Sequence, residues 1–536
     1  FIYQYLLRIF GKPPTKDGFS IIKVLKRNNP NIICEVTEKG IRVVGNNNIK
    51  VRCNEKEFKD LRLPIGTRIL VKIGTKETNK VYDVSFIEVT GHKNDLTSEL
   101  EAIACNNGFV TRYTKEELEQ INSIPKEVLE KDKIDRIDLT NETIFTIDGA
   151  NTKDMDDAVG IAKTKDNKYI LTVPIAHVSH YIPYNSPLWI RASKNTTSLY
   201  LANHVLHMLH PFISNGICSL NPNVERLAKT YRMTINENGY VENLEIFDSV
   251  IKSKKKMTYE DVNKILVDKQ MAPGYEKFLN DLKLMEELHH ILDKNKKNRG
   301  YLNFGNHDIK IEYEVNGNVK SISLCTRKVS EMMIEDFMLK ANETVATFAR
   351  SLQLIFNYRV HPSPDPEIIR QKIEYINSLG FNIKLPKNLN NPFAIQSIMK
   401  QLNENPLAEA LNEILLQGMR SAYYSTSNIG HYGLGINALK GEAYCHFTSP
   451  IRRVMDLIVH MIIKEIITDE KYFGKKNFES FVNELCAWSS SRQRLEDKIE
   501  KECIGLRTAQ YMQNNIGKTF EGKITYISKK SIMIVT

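Results

Sequence analysis

Within ten positions the chain places Asp148, Asp154, Asp156 and Asp157, between two stretches that read as β-strands, Thr143-Ile-Phe-Thr-Ile147 and Asp157-Ala-Val-Gly-Ile-Ala162. Only Lys153 offsets the four carboxylates locally, and Gly149 and Asn151 supply turn residues. Two like charges about 4 Å apart repel by roughly 4 kcal/mol at an effective dielectric of about 20, so a fold that gathers these side chains needs a cation or a proton among them. Hard oxygen donors without nearby His or Cys favour magnesium, with manganese as the alternative, over zinc. The spacing misses the EF-hand loop, which alternates its ligands and closes on a Glu. A solvated acidic turn accommodates the same spacing, so both readings stand at this level.

The rest of the composition is basic. Lys and Arg total 74 against 64 Asp and Glu, and the net charge of +10 suits a polyanionic partner, although a basic surface without such a partner gives the same figure. At 536 residues and 42% hydrophobic content the chain can hold more than one domain and a large core. Its eight Cys include no Cys-x-x-Cys pair, which argues against a zinc site and a disulfide framework and for a reducing compartment, the cytoplasm. No apolar run approaches the roughly 20 residues of a membrane span. The longest candidate, Leu457 to Ile467, contains His460, Lys464 and Glu465 and reads as a buried helix. The chain opens at Phe1 and stops at Thr536 within the alternation Ser531-Ile-Met-Ile-Val535, as a piece of a longer protein would.

Residues 1–16 read as a lead into the linker Gly11 to Gly18. Five β-rich runs come next, at Ser20–Leu25, Asn31–Val36, Gly40–Val44, Thr67–Ile73 and Lys80–Val89, and predict a small barrel of the OB type over 17–95; an SH3-like barrel gives a similar pattern. Few aromatics interrupt this region, so any contact with RNA there rests on Lys and Arg. Thr97 and Thr114 each open a helix with a capping-box pattern. The run from Lys168 to Ile182 pairs with Ala158–Lys163 across Asp166-Asn167, which puts His177 and His180 on opposite strand faces as packing or hydrogen-bonding residues. Helical patterns cover 257–300, 328–352, 364–379, 393–403 and 406–425. Finally, Thr448-Ser-Pro-Ile-Arg-Arg453 reads as a helix start with Pro450 in the first turn, whose free N–H groups beside Arg452 and Arg453 would hold a phosphate; an ordinary surface arginine pair fits the same letters.

Taken together and in this order, Thr146-Ile-Asp-Gly149 with Asp154-Met-Asp-Asp157, Ser219-Leu-Asn-Pro222, Tyr358-Arg-Val-His361 and His446-Phe-Thr-Ser-Pro-Ile-Arg-Arg453 resemble the signature of the RNase II/RNase R exoribonucleases, with the RNase R branch nearer. The resemblance covers nearly the whole chain. It implies an α+β multidomain fold: a cold-shock barrel of OB type at 17–95, a mixed α/β RNB catalytic domain at 96–515, and the opening of an S1 domain at 516–536. It also implies that Asp148, Asp154, Asp156 and Asp157 hold magnesium and that Arg452 contacts the scissile phosphate. Tyr200 and Phe304 would clamp terminal bases, Arg453 would bind RNA, and Glu500, or Glu502 in a shifted register, would lie near the RNA end. The implied activity is processive 3′→5′ hydrolysis of single-stranded RNA to nucleoside 5′-monophosphates by a monomer without a nucleotide cofactor. The alternative is a catalytically silent RNA-binding protein of RNB type. Two residues depart from the family pattern, His177 where Asp is usual and Val454 where Tyr is usual.

Overall fold

Alternation in short strands builds the first sheet of the structure, a computed structural model that describes residues 30–535 apart from 47, 55–57, 59, 79–80, 306–307, 315–316, 469–474, 514 and 528–531. Strands β1 (Asn31–Thr37), β2 (Gly40–Val43), β3 (Lys50–Cys53), β4 (Thr67–Thr78) and β5 (Val81–His92) lie in the order β2-β1-β4-β5-β3. Only the β3–β5 pair is parallel, and register shifts along β4 and β5 curl the sheet towards a barrel. One set of alternate residues, Ile32, Cys34, Ile69 and Val71, fills the interior. The other set, Ile33 and Leu70, packs outward on Ala102 and Cys105 of the helix Leu96–Asn106, which explains why these strands read as continuously apolar. Asn106 ties helix to barrel, accepting from the Ile33 N–H at 2.7 Å and donating to the carbonyls of Ile33 and Val44 at 3.0 and 2.7 Å.

Sequence patterns missed β3, whose Lys-Val-Arg-Cys carries too much charge to stand out. The run predicted at Ser20–Leu25, like the lead at 1–16, lies outside the described residues. The cap of the first helix is Asp95 rather than Thr97, since its carboxylate accepts the Thr97 N–H. The Thr114 capping box forms as expected, with Glu117 as its partner.

The central sheet has the order β6-β13-β12-β9-β8, from β6 (Ile137–Asp138), β8 (Gly160–Lys163), β9 (Tyr169–Ala176), β12 (Glu225–Ile235) and β13 (Val241–Lys252). Between β6 and β8 lies β7 (Thr146–Asp148), which pairs in parallel with β14 (Lys256–Thr258); β10 (Leu199–Leu201) and β11 (His204–Leu206) form a small hairpin between β9 and β12. The pairing of β8 with β9 is as the sequence indicates. One face of the sheet is covered by the helix Val454–Thr468, in which Leu457, Ile458 and Val459 are fully buried; Tyr231 on β12 meets Phe447 with ring centroids 4.4 Å apart. The pattern over 328–352 forms the helix Val329–Ser351, whose stripe Met333, Phe337, Ala341 and Val345 is buried in the core while Val329 and Met332 are partly buried.

The pattern over 257–300 resolves into two helices, Tyr259–Leu266 and Leu279–Asn298, separated around Pro273-Gly274, where proline cannot continue a helix. The last predicted helix ends early, at Leu416; Tyr423–Ser425 instead pairs with Tyr358–Val360. His177 and His180 are not on a strand. The chain turns after Ala176 into the short helix Val178–Tyr181, so the two rings come within 5.9 Å rather than facing apart. A single helix, Lys475–Gln513, follows, and the paired strands Lys523–Ile527 and Ile532–Val535 lie beyond it. No helix among the described residues is long and apolar enough to cross a membrane.

Candidate active site

Asp148 ends β7, and the chain then leaves the sheet in a turn closed by the Thr152 N–H on the Gly149 carbonyl at 3.1 Å. Residues 153–156 have no regular structure, so other elements must satisfy their backbone. Ser219 serves twice: its hydroxyl accepts the Met155 N–H at 3.0 Å and donates to the Lys153 carbonyl at 2.8 Å. The Met155 carbonyl accepts from Leu220, the Asp156 carbonyl accepts from Ala176 at 2.8 Å, and Asp157 bridges to Ile175 on β9. Met155 points into the core, 1% exposed, and anchors the segment from beneath. Lys256 on β14 donates to the carbonyls of Ala150 and Thr152. The loop is therefore fixed at both ends and in the middle.

Its carboxylates carry the cost of that placement. Asp156 is 5% exposed; its Oδ1 accepts the Ile451 N–H at 2.7 Å, and Arg452 Nε stands 3.7 Å from Oδ2. Burial outweighs both and holds this carboxyl well above the usual range. Burial, then the neighbouring Asp157, pushes Asp148 up to about 8, with Lys256 opposing. Burial also raises Asp157 to about 6 against the pull of Arg452 and Arg453. The cluster is thus short of positive charge, and its donors are all hard oxygens, the chemistry that suits a divalent cation such as magnesium. Among the described residues no group of three or more His, Cys, Asp and Glu is arranged to hold a metal ion by itself.

The arginine segment differs from the sequence expectation. Pro450 lies in a turn that precedes the helix, and the helix begins at Val454. The amides expected to bind phosphate are already engaged: Ile451 on Asp156, Arg452 and Arg453 on the Ser449 carbonyl, and Val454 on the Thr196 carbonyl at 2.9 Å. Anion binding here therefore falls to the Arg452 side chain, which is 40% exposed and braced by Ser449 Oγ at 3.0 Å. Arg453 turns inward. Its Nε and Nη2 grip the buried Asp456 at 2.9 and 2.7 Å, and Asp456 also accepts the Ser449 N–H, so Arg453 shapes the turn. Arg359 of the Tyr358–His361 motif lies over the Tyr424 ring, whose hydroxyl meets His446 Nδ1 at 3.0 Å.

Tyr200, on β10, is 39% exposed; its hydroxyl donates to Asp154 Oδ2 at 3.4 Å and its N–H to Glu500 Oε1 at 3.4 Å. This places Glu500, rather than Glu502, beside Tyr200. Phe304 is not brought to this group: it packs against the separate apolar cluster of Leu302, Ile369 and Ile373. His177 is buried, with Nδ1 2.9 Å from Arg136, and Val454 is buried at the helix start, so each departure from the family pattern is packed. Sequence reading gave no role to Ser219 or Lys256, and it missed Glu496, which accepts from Thr197 at 3.3 Å and is pushed up to about 8 by burial and then Glu500. For Ser219 the motif itself was the signal.

Buried carboxylates faced by a half-exposed arginine, in a chain that also carries an OB-type barrel, point to the class: the RNB domain model matches residues 136–469, and the chain belongs to that family. Ribonuclease R 1 of Lactococcus lactis is 37% identical over 449 residues, covering 83% of this chain and 54% of its own length. Ribonuclease R of Thermotoga maritima is 35% identical, covering 84% of this chain and 64% of its own length. The chain thus spans between half and two thirds of these relatives. The solved structure of Mycoplasma genitalium RNase R in complex with ribose-methylated single-stranded RNA matches with a TM-score of 0.85 at 27% identity, over 98% of this chain and 83% of that one. The fold, an OB-type barrel before a mixed RNB catalytic domain, is the one they share.

Proposed function

We propose that this chain is the working part of an exoribonuclease that removes nucleoside 5′-monophosphates processively from the 3′ end of single-stranded RNA, and that it acts in the cytoplasm as a monomer. The observation that carries this reading is the meeting of Asp156, Ile451 and Arg452 across 295 positions of sequence in a chain of the RNB family. The organisation proposed with it is a barrel unit at 17–95, a catalytic unit at 96–515 and the start of an S1 unit at 516–536.

Asp148, Asp154, Asp156 and Asp157 are the residues that would hold magnesium, or manganese in its place. Such a cation, when bound, lowers the pKa of a water and screens the charge of the phosphate. The chain supplies the rest. Arg452 faces the acidic cluster with its side chain partly in solvent, placed to take a phosphate oxygen and to stabilise the charge that builds on it. The Tyr200 ring offers a stacking surface indifferent to base identity, and its bonds to Asp154 and Glu500 hold it at the edge of the cluster. Asp156, buried and pinned by Ile451, keeps the loop and the arginine turn in register.

The test is hydrolysis of end-labelled single-stranded RNA by the wild-type chain and by Asp156→Asn, with magnesium present and with it removed by chelation. Mononucleotide release that needs both magnesium and Asp156, with RNA binding nearly intact in the variant, is the expected result. Binding without cleavage by the wild-type chain would establish the silent RNA-binding alternative instead.

A further inference from the structure

The segment from Tyr444 to Arg453 brings a second donor to the site besides Arg452. His446 stands shortly before Ser449, which braces Arg452, and is half-buried between the buried neighbours Cys445 and Phe447. Its ring meets Tyr424 and Tyr444 edge-on, each with its centroid 5.7 Å away. Nδ1 lies 3.0 Å from the Tyr424 hydroxyl. Tyr424 is 7% exposed and its hydroxyl has no other partner among the described residues, so accepting from His446 would strand a buried O–H. The hydroxyl therefore donates, which puts the ring proton on Nε2. That nitrogen is unbonded among the described residues, and it is open to solvent where the unbonded Nε2 of His177 is sealed.

Arg359 shares the same tyrosine. Its guanidinium carbon lies 4.7 Å from the Tyr424 ring centroid, and Nη1 donates to Gln493 Oε1 at 2.7 Å. Although the residue is only 9% exposed, Nε and Nη2 are unbonded among the described residues and are not sealed, unlike the Nε of Arg191 or of Arg507. These two nitrogens form one edge of the planar fork, the edge that receives two oxygens of a phosphate. The charged groups that act most on His446 are of one sign. Burial pushes its pKa down, and Arg453, Arg359, His431 and Arg452 push it the same way. Asp456 answers Arg453 directly, while Asp497 reaches Arg359 only through space. A basic place with idle donors, in the same segment as the half-exposed Arg452, suits an anion.

The polarity of an RNA strand identifies that anion. With Arg452 on the scissile phosphate, the nucleotide to be released ends in a free 3′ hydroxyl, so the neighbouring phosphate lies on the 5′ side. Resting on the exoribonuclease reading, we propose that His446 Nε2 and the free edge of Arg359 hold the phosphate next to the scissile one on its 5′ side. This second seat fixes the register of the strand: after each release, the phosphate it held is the one that Arg452 takes next.

The probe is a 5′-labelled pentanucleotide, 2′-O-methylated so that an uncharged linkage is chemically stable. Its binding to the whole chain is followed by fluorescence anisotropy with magnesium chelated. In a second strand a methylphosphonate replaces the second linkage from the 3′ end and removes its charge. The wild-type chain is expected to bind this strand about ten- to a hundredfold more weakly, the worth of hydrogen bonds to a charged group. His446→Ala should weaken the charged strand to a similar degree, and the uncharged linkage should then cost the variant no more than about twofold, because the two changes remove one interaction. Should the alanine variant melt far below wild type, Arg359→Gln serves in its place with the same loss of sensitivity to the linkage. Equal affinity of the wild-type chain for the two strands overturns the proposal, and so does a linkage effect of undiminished size in the variants. A charged strand that does not bind at all sinks the exoribonuclease reading together with this seat, whereas equal binding of both strands sinks the seat alone.

Discussion

The acidic loop and the arginine turn are both irregular, both pinned to the core by backbone hydrogen bonds, and treated oppositely in charge. In the turn, Arg453 is matched inside the protein by Asp456, and three successive amides are engaged by Ser449 and Asp156. In the loop, Asp148, Asp156 and Asp157 are buried to different degrees and left without enough positive charge, and their carboxyls rise accordingly. Two neighbouring arginines show the difference best: Arg453 is neutralised locally, while Arg452 is left partly in solvent facing the loop. Chemistry is available where charge remains unmatched, and rigidity comes from where it is matched.

The contrast can be broken at four points. Asp456→Ala leaves Arg453 without its carboxylate and is expected to cost about 3–5 kcal/mol of stability by chemical denaturation, since removing one partner of a buried pair strands the other. A loss below about 1 kcal/mol would show that water already reaches the pair. Arg452→Ala should do the reverse, shifting stability by no more than about 0.5 kcal/mol and lowering the single-turnover rate on labelled RNA by about 10²–10³, the effect of losing one preorganised donor. Equal damage to stability and rate would erase the distinction between the two arginines.

Ser219→Ala removes one group that satisfies both the Lys153 carbonyl and the Met155 N–H, so a loss of about 1–3 kcal/mol is expected. Limited proteolysis then finds a cut near Lys153 that the wild type resists; an intact loop in the variant would mean that Leu220 and Ala176 alone hold it. The smallest effect falls on Tyr200→Ala. Stacking on an aromatic ring is worth about 1–3 kcal/mol per base, so early degradation of long RNA stays near normal while the limit products lengthen on denaturing gels. A shared drop in melting temperature with an unchanged product ladder would make Tyr200 a packing residue.

The acidic loop was legible in sequence because its information is local: four Asp, a Gly and flanking strands fall within one short window. Its electrostatic state was not legible, because that state depends on burial and on partners that approach from Lys256 and Arg452. The arginine turn was misread for the same reason. Pro450 after Ser449 is a proper helix-start signal, yet Thr196 and Asp156 take the amides that a helix N-terminus would leave open, and the helix begins later. His177 was placed on a strand because Val-Pro-Ile-Ala-His-Val alternates well, but Arg136 and Asp248 draw the ring inward and the chain turns. Among the barrel strands Lys50–Cys53 was unreadable, because Lys50 and Arg52 leave only Val51 and Cys53 as its apolar residues.

The meeting of Ile451 with Asp156, and of Glu500 with Tyr200, also sets an order of events during synthesis. These partners are 295 and 300 residues apart, so Asp156 and Tyr200 leave the ribosome long before these two contacts can form. At about 5–20 residues per second the delay is on the order of 15–60 s. During that interval the loop is present and the site is not. A chain interrupted between residues 256 and 451 carries all four carboxylates and the groups that pin their loop, Ala176, Ser219, Leu220 and Lys256, but neither the Ile451 amide nor Arg452. On the proposed activity, its own messenger, still threaded through the same ribosome, meets the finished site only after translation has passed the last of these contacts.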